Sequence, residues 1–425
     1  EELDVLYIGT GNGAPWNRKV RSPGGGDNLF LCSIVALDPD TGEYLWHYQT
    51  TPGESWDYNS NMDIVLADLQ IGGQTVKALM HAPKNGFFYV IDRQTRSLVS
   101  AEPFVETTWA SHIDMETGRP VEVQGARYED GEQIITPSLF GAHSWHAMSY
   151  NPNTGLVYLP TIHHAARYDD AGYDADWRTE PFKGGTAVDW DEPVEQPRSY
   201  AGSLQAWNPV EQEAAWSVAQ NDLWNAGTLT TGGNLVFQGR SDGMLIAYDA
   251  RDGQQLWSYD LGLGISAPPI TYKLDGKQYV ALLVGYGGGA AGKIGNNDPG
   301  LGWAYGVHTR RLVTFAVDSG TLLPQQPKRY FPKPLKASFE IDEDLAEAGE
   351  IQWWDRGCFS CHGRDVVAAG MAPDLRASGV PLSQETFDAV VRDGARTNRA
   401  MPAYPDIADQ DLLALRHYIR KQAEH

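Results

Sequence analysis

The stretch ALDPDTGEYLW, residues 36–46, predicts a strand, a tight turn rich in Asp and Gly, and a second strand that ends in Trp46. Residues 247–257, AYDARDGQQLW, repeat this arrangement position for position. Asp and Gly favour the unusual dihedral angles of a turn between paired strands, so both stretches suit a β-hairpin. A chain that repeats this unit is expected to be built from antiparallel sheets.

Further copies of the unit are spread over the first three quarters of the chain. Residues 206–216 form a third copy, in which Gln212 stands at the position of the glycine, and weaker copies begin at Val90, Ser149 and Ala316. The six copies begin at residues 36, 90, 149, 206, 247 and 316. A period of roughly 40 to 60 residues suits the four-stranded blades of a β-propeller better than a solenoid of short repeats.

Composition excludes several classes of partner. The chain of 425 residues has 33 basic and 55 acidic side chains and a formal charge of −22, which argues against nucleic acid or an anionic membrane surface. No segment approaches the ~18 consecutive apolar residues of a membrane span, so no transmembrane segment is expected. The acidic connection 167–197 lacks the glycine spacing of an EF-hand, which favours a solvated insertion over a metal loop. Cys32, in an apolar run, is expected to be a buried structural cysteine rather than a reactive thiol.

The stretch CFSCH, residues 358–362, predicts covalent attachment of a c-type haem. Cys358 and Cys361 have the spacing that forms two thioethers to one porphyrin, and His362 can ligate the iron. A zinc site would normally need a second pair of ligands, and the only other cysteine is the distant Cys32. A redox dithiol remains the alternative, although it does not require the adjacent histidine.

A small helical unit is expected around the haem. Prolines and basic residues over 324–340 predict an extended linker, after which helical periods begin. We predict one helix over 343–354, a second that Ser383 N-caps and that ends before Gly394, and a last helix. The apolar stripe of the last helix comprises Ala408, Leu412, Leu415 and Ile419.

Met401 is the predicted sixth ligand of the haem iron. A thioether ligand favours electron transfer and raises the reduction potential. Met371 is a rival, but it lies only nine residues after His362, a short span for reaching the opposite face of the ring. The alternative is that Met401 is an ordinary core residue.

The haem motif also bears on location. Haem of this type is attached outside the cytoplasm, so we expect a periplasmic protein. The chain opens with Glu1-Glu2 and runs into a strand, without an initiating Met or an apolar leader. We therefore expect the front of the protein to be missing from this sequence.

Five motifs resemble the quinoprotein alcohol dehydrogenases and, with the haem domain, the soluble type II quinohaemoprotein alcohol dehydrogenases most closely. They are GTGNGAPWN at 9–17, GDNL at 26–29, WDY at 56–58, APKNG at 82–86 and GAHSWH at 141–146. The resemblance implies an eight-bladed propeller that holds pyrroloquinoline quinone (PQQ) and calcium on its axis. Only about five to six blades are expected in this chain by repeat count.

The expected fold is therefore an all-β propeller, a partial eight-bladed quinoprotein propeller, followed by a small all-α cytochrome c domain. Residues 1–323 would form the PQQ- and calcium-binding dehydrogenase domain, 324–340 the Pro-rich linker and 341–425 the cytochrome c domain.

The resemblance also implies roles for individual residues. Asp57 matches the family's catalytic base and calcium ligand, and Asn12 its calcium-ligating Asn. Lys84 matches the basic residue that hydrogen-bonds the quinone, and Trp16 an aromatic wall of the substrate pocket. Together these four positions imply a metal, a base and a cofactor contact in one site.

Three further residues are expected to contact the cofactor. Ser144 stands where the family usually has an Asn that bonds PQQ, and it is followed by Trp145, while Trp224 resembles a residue near the quinone. A hydroxyl offers one donor where an amide offers two, so Ser144 provides a shortened anchor. Tyr286-Gly287 replaces a Trp-containing turn of the family. The second calcium carboxylate, the vicinal disulfide and the stacked Trp of the family would lie before Glu1.

From the residues alone, ordinary structural roles stay open for all of these positions. Asn12 and Asp57 could be turn residues, Lys84 could be a solvated surface residue, and the tryptophans at 16, 145 and 224 could be core residues.

The implied function is PQQ- and calcium-dependent oxidation of alcohols to aldehydes. Electrons would pass within the molecule from the reduced quinone to haem c and then to a soluble periplasmic acceptor, such as a cytochrome or a cupredoxin. The alternative is a c-type cytochrome electron carrier on an inactive or incomplete propeller scaffold.

Overall fold

The computed structural model describes residues 3–170, 187–189, 194–286, 309–317, 319–324, 333–367 and 372–424. Most of the acidic connection after Asp170, as well as Gly287 and Met371, lies outside these ranges. Within these ranges, strands occupy the chain up to Ala316, and apart from the short helix α1 (Arg18–Arg21) the α-helices follow from Glu343 onward.

The strands of the first part are β1 Leu6–Gly9, β2 Ser33–Leu37, β3 Tyr44–Gln49, β4 Ile64–Ile71, β5 Gln74–His81, β6 Phe87–Asp92, β7 Leu98–Pro103, β8 Ala110–Asp114, β9 Arg119–Glu122, β10 Gln133–Ile135, β11 Ser149–Asn151 and β12 Leu156–Ile162. They continue with β13 Ala166–Asp169, β14 Ala187–Asp189, β15 Gly202–Asn208, β16 Glu213–Gln220, β17 Thr228–Thr230, β18 Leu235–Gly239, β19 Met244–Asp249, β20 Gln255–Asp260, β21 Ile270–Leu274, β22 Lys277–Val284 and β23 Arg311–Ala316. The later helices are α2 Glu343–Asp355, α3 Phe359–His362, α4 Gln384–Val391 and α5 Asp409–Lys421.

Among the described strands, five antiparallel meanders follow one another in the way expected of propeller blades. Their strand orders are β1-β2-β3, β4-β5-β6-β7, β11-β12-β15-β16, β17-β18-β19-β20 and β21-β22-β23. Two smaller sheets, β8-β9 and β10-β13-β14, are additions between and within the meanders. The strand-rich part is thus the propeller-like region that the repeats predicted.

The assignment of one blade to each repeat was wrong at Ser149. The copies that begin at Ser149 and at Ala206 both lie in the sheet β11-β12-β15-β16, where the first connects β11 to β12 and the second connects β15 to β16. The turn chemistry marks a hairpin, and a four-stranded meander contains three hairpins, so two copies can share one blade.

The predicted turns have the geometry that their residues favour. Asp38 Oδ1 accepts the N–H groups of Asp40 and Thr41 at 3.0 and 2.8 Å, and Gly42 has a φ of +74°. In the third copy Gln212 adopts a φ of +56° without being a glycine. The sheet context therefore imposes the left-handed position even where no glycine is present.

The tryptophan of the repeat packs on the turn of the following sheet. Trp216 Nε1 donates a hydrogen bond to the carbonyl of Ala250 at 3.1 Å. A Cβ atom on Gly253 would lie 2.6 Å from the Trp216 ring. The glycine of the repeat thus serves both its own turn and the packing of the neighbouring sheet.

The helical part begins and ends as its caps predict. The Asp342 side chain accepts the N–H of Leu345 at 3.0 Å, and the Ser383 side chain accepts the N–H of Thr386 at 3.3 Å. Helix α4 ends at Val391, before Gly394 with its φ of +73°.

Helix α5 differs from its predicted apolar stripe at one position. Leu412, Leu415 and Ile419 are buried, but Ala408 is exposed because it is the N-cap rather than part of the helical face. The stripe crosses α2 closely, since a Cβ on Gly349 would lie 2.1 Å from the carbonyl oxygen of Ala414.

The last residues of the predicted linker are attached to the helical part. The N–H of Leu335 donates to the carbonyl of Arg376 at 2.9 Å, and its carbonyl accepts from the fully buried Arg420 at 3.1 Å. The domain limits themselves stay predictions.

Two simpler expectations can be compared directly with the structure. Cys32 is completely buried and unpaired, as predicted for a structural cysteine. Among the described residues, no helix has the length and apolar character needed to cross a membrane.

Candidate active site

Asp57 lies on a tightly braced loop. Its φ is +66°, a left-handed conformation that non-glycine residues seldom adopt. The preceding carbonyl, of the fully buried Trp56, accepts a hydrogen bond from Tyr168 Oη at 3.3 Å, and Trp56 Nε1 donates to Ala126 O at 2.8 Å. Such a backbone persists only where its surroundings hold it, which is common at functional sites.

Glu54 supports the same loop from within the core. One of its carboxylate oxygens, Oε1, accepts the N–H groups of Trp56 and, at 2.9 Å, of Tyr58. Its other oxygen, Oε2, is buried and has no hydrogen-bond partner among the described residues. Burial raises the pKa of Glu54 to about 7, and the nearby charge of Asp57 adds to that rise. Sequence reasoning missed Glu54, whose only signal is an acid three residues before Asp57.

Lys84 contacts Asp57 directly. Its Nζ lies 3.1 Å from Asp57 Oδ2 and donates to the carbonyl of Leu139 at 2.9 Å. The lysine side chain is only 10% exposed, so the interpretation as a solvated residue was wrong. These contacts use two of its three N–H donors. Gly141 makes room for it, because a Cβ there would lie 2.3 Å from Lys84 Cγ.

Asn12 joins this pair through a residue that the sequence analysis did not select, Asn59. The N–H of Asn12 donates to Asn59 Oδ1 at 2.7 Å, and Asn59 Nδ2 donates to Asp57 Oδ1 at 3.0 Å. The structure thus brings Asn12, Asp57 and Lys84 together. No sequence motif indicated Asn59; only its place two residues after Asp57 could have drawn attention to it.

Aromatic side chains line the region beside Asp57. Trp16 and Trp224 belong to one buried cluster that also contains Trp56 and Tyr286. Tyr286 Oη donates to the carbonyl of Trp224 at 2.9 Å, whereas Trp224 Nε1 is buried without a partner in the described part of the chain. A buried donor of this kind fits an acceptor group supplied by a ligand.

The segment that carries Ser144 and Trp145 is held by a histidine. His143 is fully buried, with Nδ1 and Nε2 each 2.7 Å from a carbonyl oxygen, of Ala82 and His146 respectively. Ser144 is buried as well, but Trp145 is 52% exposed, so its interpretation as a core residue was wrong. A strained loop can expose an aromatic ring that periodicity assigns to the interior.

Trp145 stacks on its neighbours despite that exposure. Its ring centroid lies 3.8 Å from that of His146 and 6.1 Å from that of Trp224, to which it is inclined by only 17°. Burial holds the pKa of His146 well below its usual value, so this imidazole is neutral. The two indoles are nearly parallel, whereas the imidazole is inclined by 43° to the ring of Trp224, so the three rings form an aromatic cluster rather than one plane.

The haem motif forms one compact turn. Cys358 caps the short helix α3, which contains Cys361 and the buried His362. His362 Nδ1 lies 3.0 Å from the carbonyl oxygen of Pro373. Nδ1 is therefore the protonated nitrogen, which leaves Nε2 to ligate iron. Both cysteines are free thiols, so the residues present fit a covalently attached haem.

Met401 packs against the core of the helical part. It is partly buried against the apolar cluster that also contains Trp353, Phe359 and Leu412. Its rival Met371 lies outside the described residues, so the choice between the two stays a prediction.

The metal donors near Asp57 are few. In the described ranges, no group of three or more His, Cys, Asp or Glu side chains could hold a metal ion. One carboxylate and one amide, from Asp57 and Asn12, would fill only part of a calcium shell, which takes six to eight oxygens. The residues present fit calcium as a partial set of hard oxygen donors.

Two protein families match the chain in succession. The β-propeller domain of glucose, ethanol and alcohol dehydrogenases, a PQQ domain, matches residues 1–101 and 173–280. The family of cbb3-type cytochrome c oxidase subunit III matches residues 346–419, over the haem motif and the helices around it.

Whole proteins match over nearly all of the chain. The quinohemoprotein alcohol dehydrogenase ADH IIB of Pseudomonas putida is 46% identical over 98% of this chain and 60% of its own length. The quinohemoprotein alcohol dehydrogenase of Comamonas testosteroni is 41% identical over 100% of this chain and 59% of its own length. The chain therefore spans about three fifths of the length of the curated relatives that it matches.

Solved structures agree with the sequence matches. The structure of ADHIIG from Pseudomonas putida superposes with a TM-score of 0.87 at 40% identity, and covers 100% of this chain and 62% of its own. The enzyme from Comamonas testosteroni superposes with a TM-score of 0.82 at the same identity and coverage. The chain is thus homologous to the quinohaemoprotein alcohol dehydrogenases over nearly all of its own length, with a region that matches the PQQ propeller domain followed by a region that matches the cytochrome family.

Proposed function

We propose that the protein oxidises alcohols to aldehydes with PQQ and calcium, and that it passes the electrons through its own haem c to an external acceptor. The observation that carries this proposal is the contact of Asp57 with Lys84, joined to Asn12, beside an aromatic cluster. The haem motif on the same chain supplies the outlet for the electrons.

Asp57 suits the role of the base. Its carboxylate, 20% exposed, can take the hydroxyl proton of an alcohol that enters the site. The ammonium group of Lys84, 3.1 Å away, donates a hydrogen bond to this carboxylate and so orients it. When bound, PQQ supplies the electrophilic carbonyl that accepts the hydride, and calcium polarises that carbonyl.

Other residues would bind and orient. Asn12 and Asp57 offer oxygen donors to calcium, and the third N–H of Lys84 can hydrogen-bond the cofactor. Ser144 offers a hydroxyl on a buried loop, and Trp145 with Trp224 offers two nearly parallel aromatic rings. Trp16 would form one wall of the substrate pocket and so would limit the size of the alcohol that can bind.

The haem half would work as a one-electron relay. Cys358 and Cys361 would form the thioethers, His362 Nε2 would ligate the iron from one side, and Met401 would do so from the other. We further propose a periplasmic location and a soluble electron acceptor, a cytochrome or a cupredoxin. The formal charge of −22 supports neither nucleic acid nor an anionic membrane as a partner.

A direct experiment separates this function from the rival, a cytochrome on an inactive scaffold. The purified protein is supplied with PQQ and calcium, a primary alcohol is added, and reduction of the haem is followed by its absorbance. Alcohol-dependent reduction supports the proposed function. Haem that dithionite reduces but no alcohol reduces would favour the rival.

A further inference from the structure

One residue, Asn59, contacts all three residues that carry the proposed chemistry, two of them through its side chain and Lys84 through its backbone. Its Oδ1 accepts the N–H of Asn12 at 2.7 Å, and its Nδ2 donates to Asp57 Oδ1 at 3.0 Å. Its backbone carbonyl accepts the N–H of Lys84 at 3.3 Å. We propose that Asn59 is a positioning residue that couples the calcium ligand Asn12 to the carboxylate of Asp57.

The two partners fix the orientation of the Asn59 amide. Only an oxygen can accept from the Asn12 N–H, and only the NH₂ group can donate to the Asp57 carboxylate. A carboxylate at position 59 would lose the donor and place a second negative charge beside Asp57. A primary amide is therefore the group that satisfies both contacts at once.

Asn59 and Lys84 divide the Asp57 carboxylate between them. Asn59 holds Oδ1, and Lys84 holds Oδ2 at 3.1 Å. With both oxygens engaged, the plane of the carboxylate is fixed, which is how a base is kept in line with its proton. The outer partners of metal ligands orient those ligands in the same way.

The chain near Asn12 is shaped for this contact. A Cβ on Gly11 would lie 3.2 Å from Asn59 Oδ1, tighter than ordinary van der Waals contact. The glycine before Asn12 thus leaves room for the amide, and Gly11→Ala would press on Asn59 without changing its chemistry.

This inference rests on the proposed function, because it assigns Asn59 a part in the calcium site. The test measures calcium affinity of the metal-depleted protein by calorimetry for wild type, Asn12→Ala, Asn59→Ala and the double variant. Asn61→Ala is the matched control, since Asn61 is exposed on the same loop. The tryptophan signal of the sheets verifies folding of each variant, and Gly11→Ala replaces Asn59→Ala if the latter does not fold.

Asn59→Ala is expected to weaken calcium binding about tenfold or more, as outer-partner substitutions do, and the control less than about twofold. The calcium affinity of the double variant should fall by a smaller factor than the product of the factors for the two single variants, because Asn59 acts partly through Asn12. At saturating calcium and PQQ, kcat for alcohol should fall in Asn59→Ala while KM stays within about twofold.

Three results would contradict the inference, each in a different way. Wild-type calcium affinity in Asn59→Ala, alongside weakened binding in Asn12→Ala, would refute Asn59 alone and leave the proposed function standing. Wild-type protein that binds no calcium would remove the proposed calcium site, and the role of Asn59 with it. Losses that simply multiply in the double variant would also contradict the coupling.

Discussion

The two sites of this molecule are built in opposite ways. The two cysteines and the histidine of the haem motif lie within one turn, 358–362, and the histidine is oriented by a single carbonyl. The site around Asp57 joins residues 12, 57, 59 and 84, which lie on the loops after β1, β3 and β5. The first depends on local geometry, whereas the second exists only when separate sheets are packed, so the two should fail independently.

The sharpest test of that independence is Asp57→Asn. The amide keeps the shape of the side chain but cannot accept the alcohol proton, so kcat should fall about a thousandfold or more, or about 4 kcal/mol in the barrier. The haem spectrum and dithionite reduction should stay unchanged. Steady-state kinetics and absorbance provide both readings, and turnover at the wild-type rate would refute Asp57 as the base.

The converse change is Gly349→Ala in the helical part. A Cβ there would lie 2.1 Å from Ala414 O, so α2 and α5 must separate, at a cost of about 3 kcal/mol. Thermal unfolding should show a lower Tm for the haem absorbance than for the tryptophan signal of the sheets. Gly379→Ala is the matched control, because a Cβ there meets nothing within 4 Å. Equal Tm values in the two variants would contradict this contact.

Glu54 makes the stability of the sheet part depend on pH. Its folded pKa of about 7 exceeds its ordinary value of 4.5, so the folded protein holds this proton while the unfolded chain has lost it. Stability should therefore fall by about 3 kcal/mol as pH rises from 4.5 through 7, and be level above that. Glu54→Gln should remove this loss.

The measurement is urea unfolding of both proteins at pH 5 and pH 8 with a calcium chelator present. Wild type should lose stability relative to Glu54→Gln between these values. If the difference in the free energy of unfolding between wild type and Glu54→Gln is the same at pH 5 and pH 8, Glu54 is ionised in the folded protein at both pH values.

The smallest expected effect is that of Ser383→Ala at the start of α4. Loss of the cap to the N–H of Thr386 should cost about 1 kcal/mol in unfolding of the helical part. Turnover should be unchanged, because the cap is remote from Asp57. Ser383→Asp, which can cap equally well, is the control and should retain wild-type stability.

Local chemistry explains what the sequence could predict. The hairpin turns, the helix caps at Asp342 and Ser383, and the haem motif each depend on residues within a few positions of one another. Burial of Cys32 followed from its apolar run.

Tertiary packing explains what the sequence could not predict. In the sequence, Glu54 and Asn59 cannot be distinguished from other polar residues of a loop. Only the folded chain shows that Glu54 accepts backbone N–H groups and that Asn59 donates to a carboxylate. The exposure of Trp145 and the sharing of one sheet by two repeats likewise depend on contacts between distant segments. The family resemblance selected Asp57, Lys84 and Asn12, but it could not supply the amide between them.

The hydrogen bond from Arg420 to the carbonyl of Leu335 limits the distance between the haem-binding part and the sheet part. Both backbone groups of Leu335 are bonded to the helical part, so only the ten residues 325–334 separate Pro324 from that anchor. Fully extended, they span roughly 40 Å. A connection this short keeps the two regions at millimolar effective concentration with respect to each other. The rate of electron transfer between them should therefore not depend on the concentration of the protein.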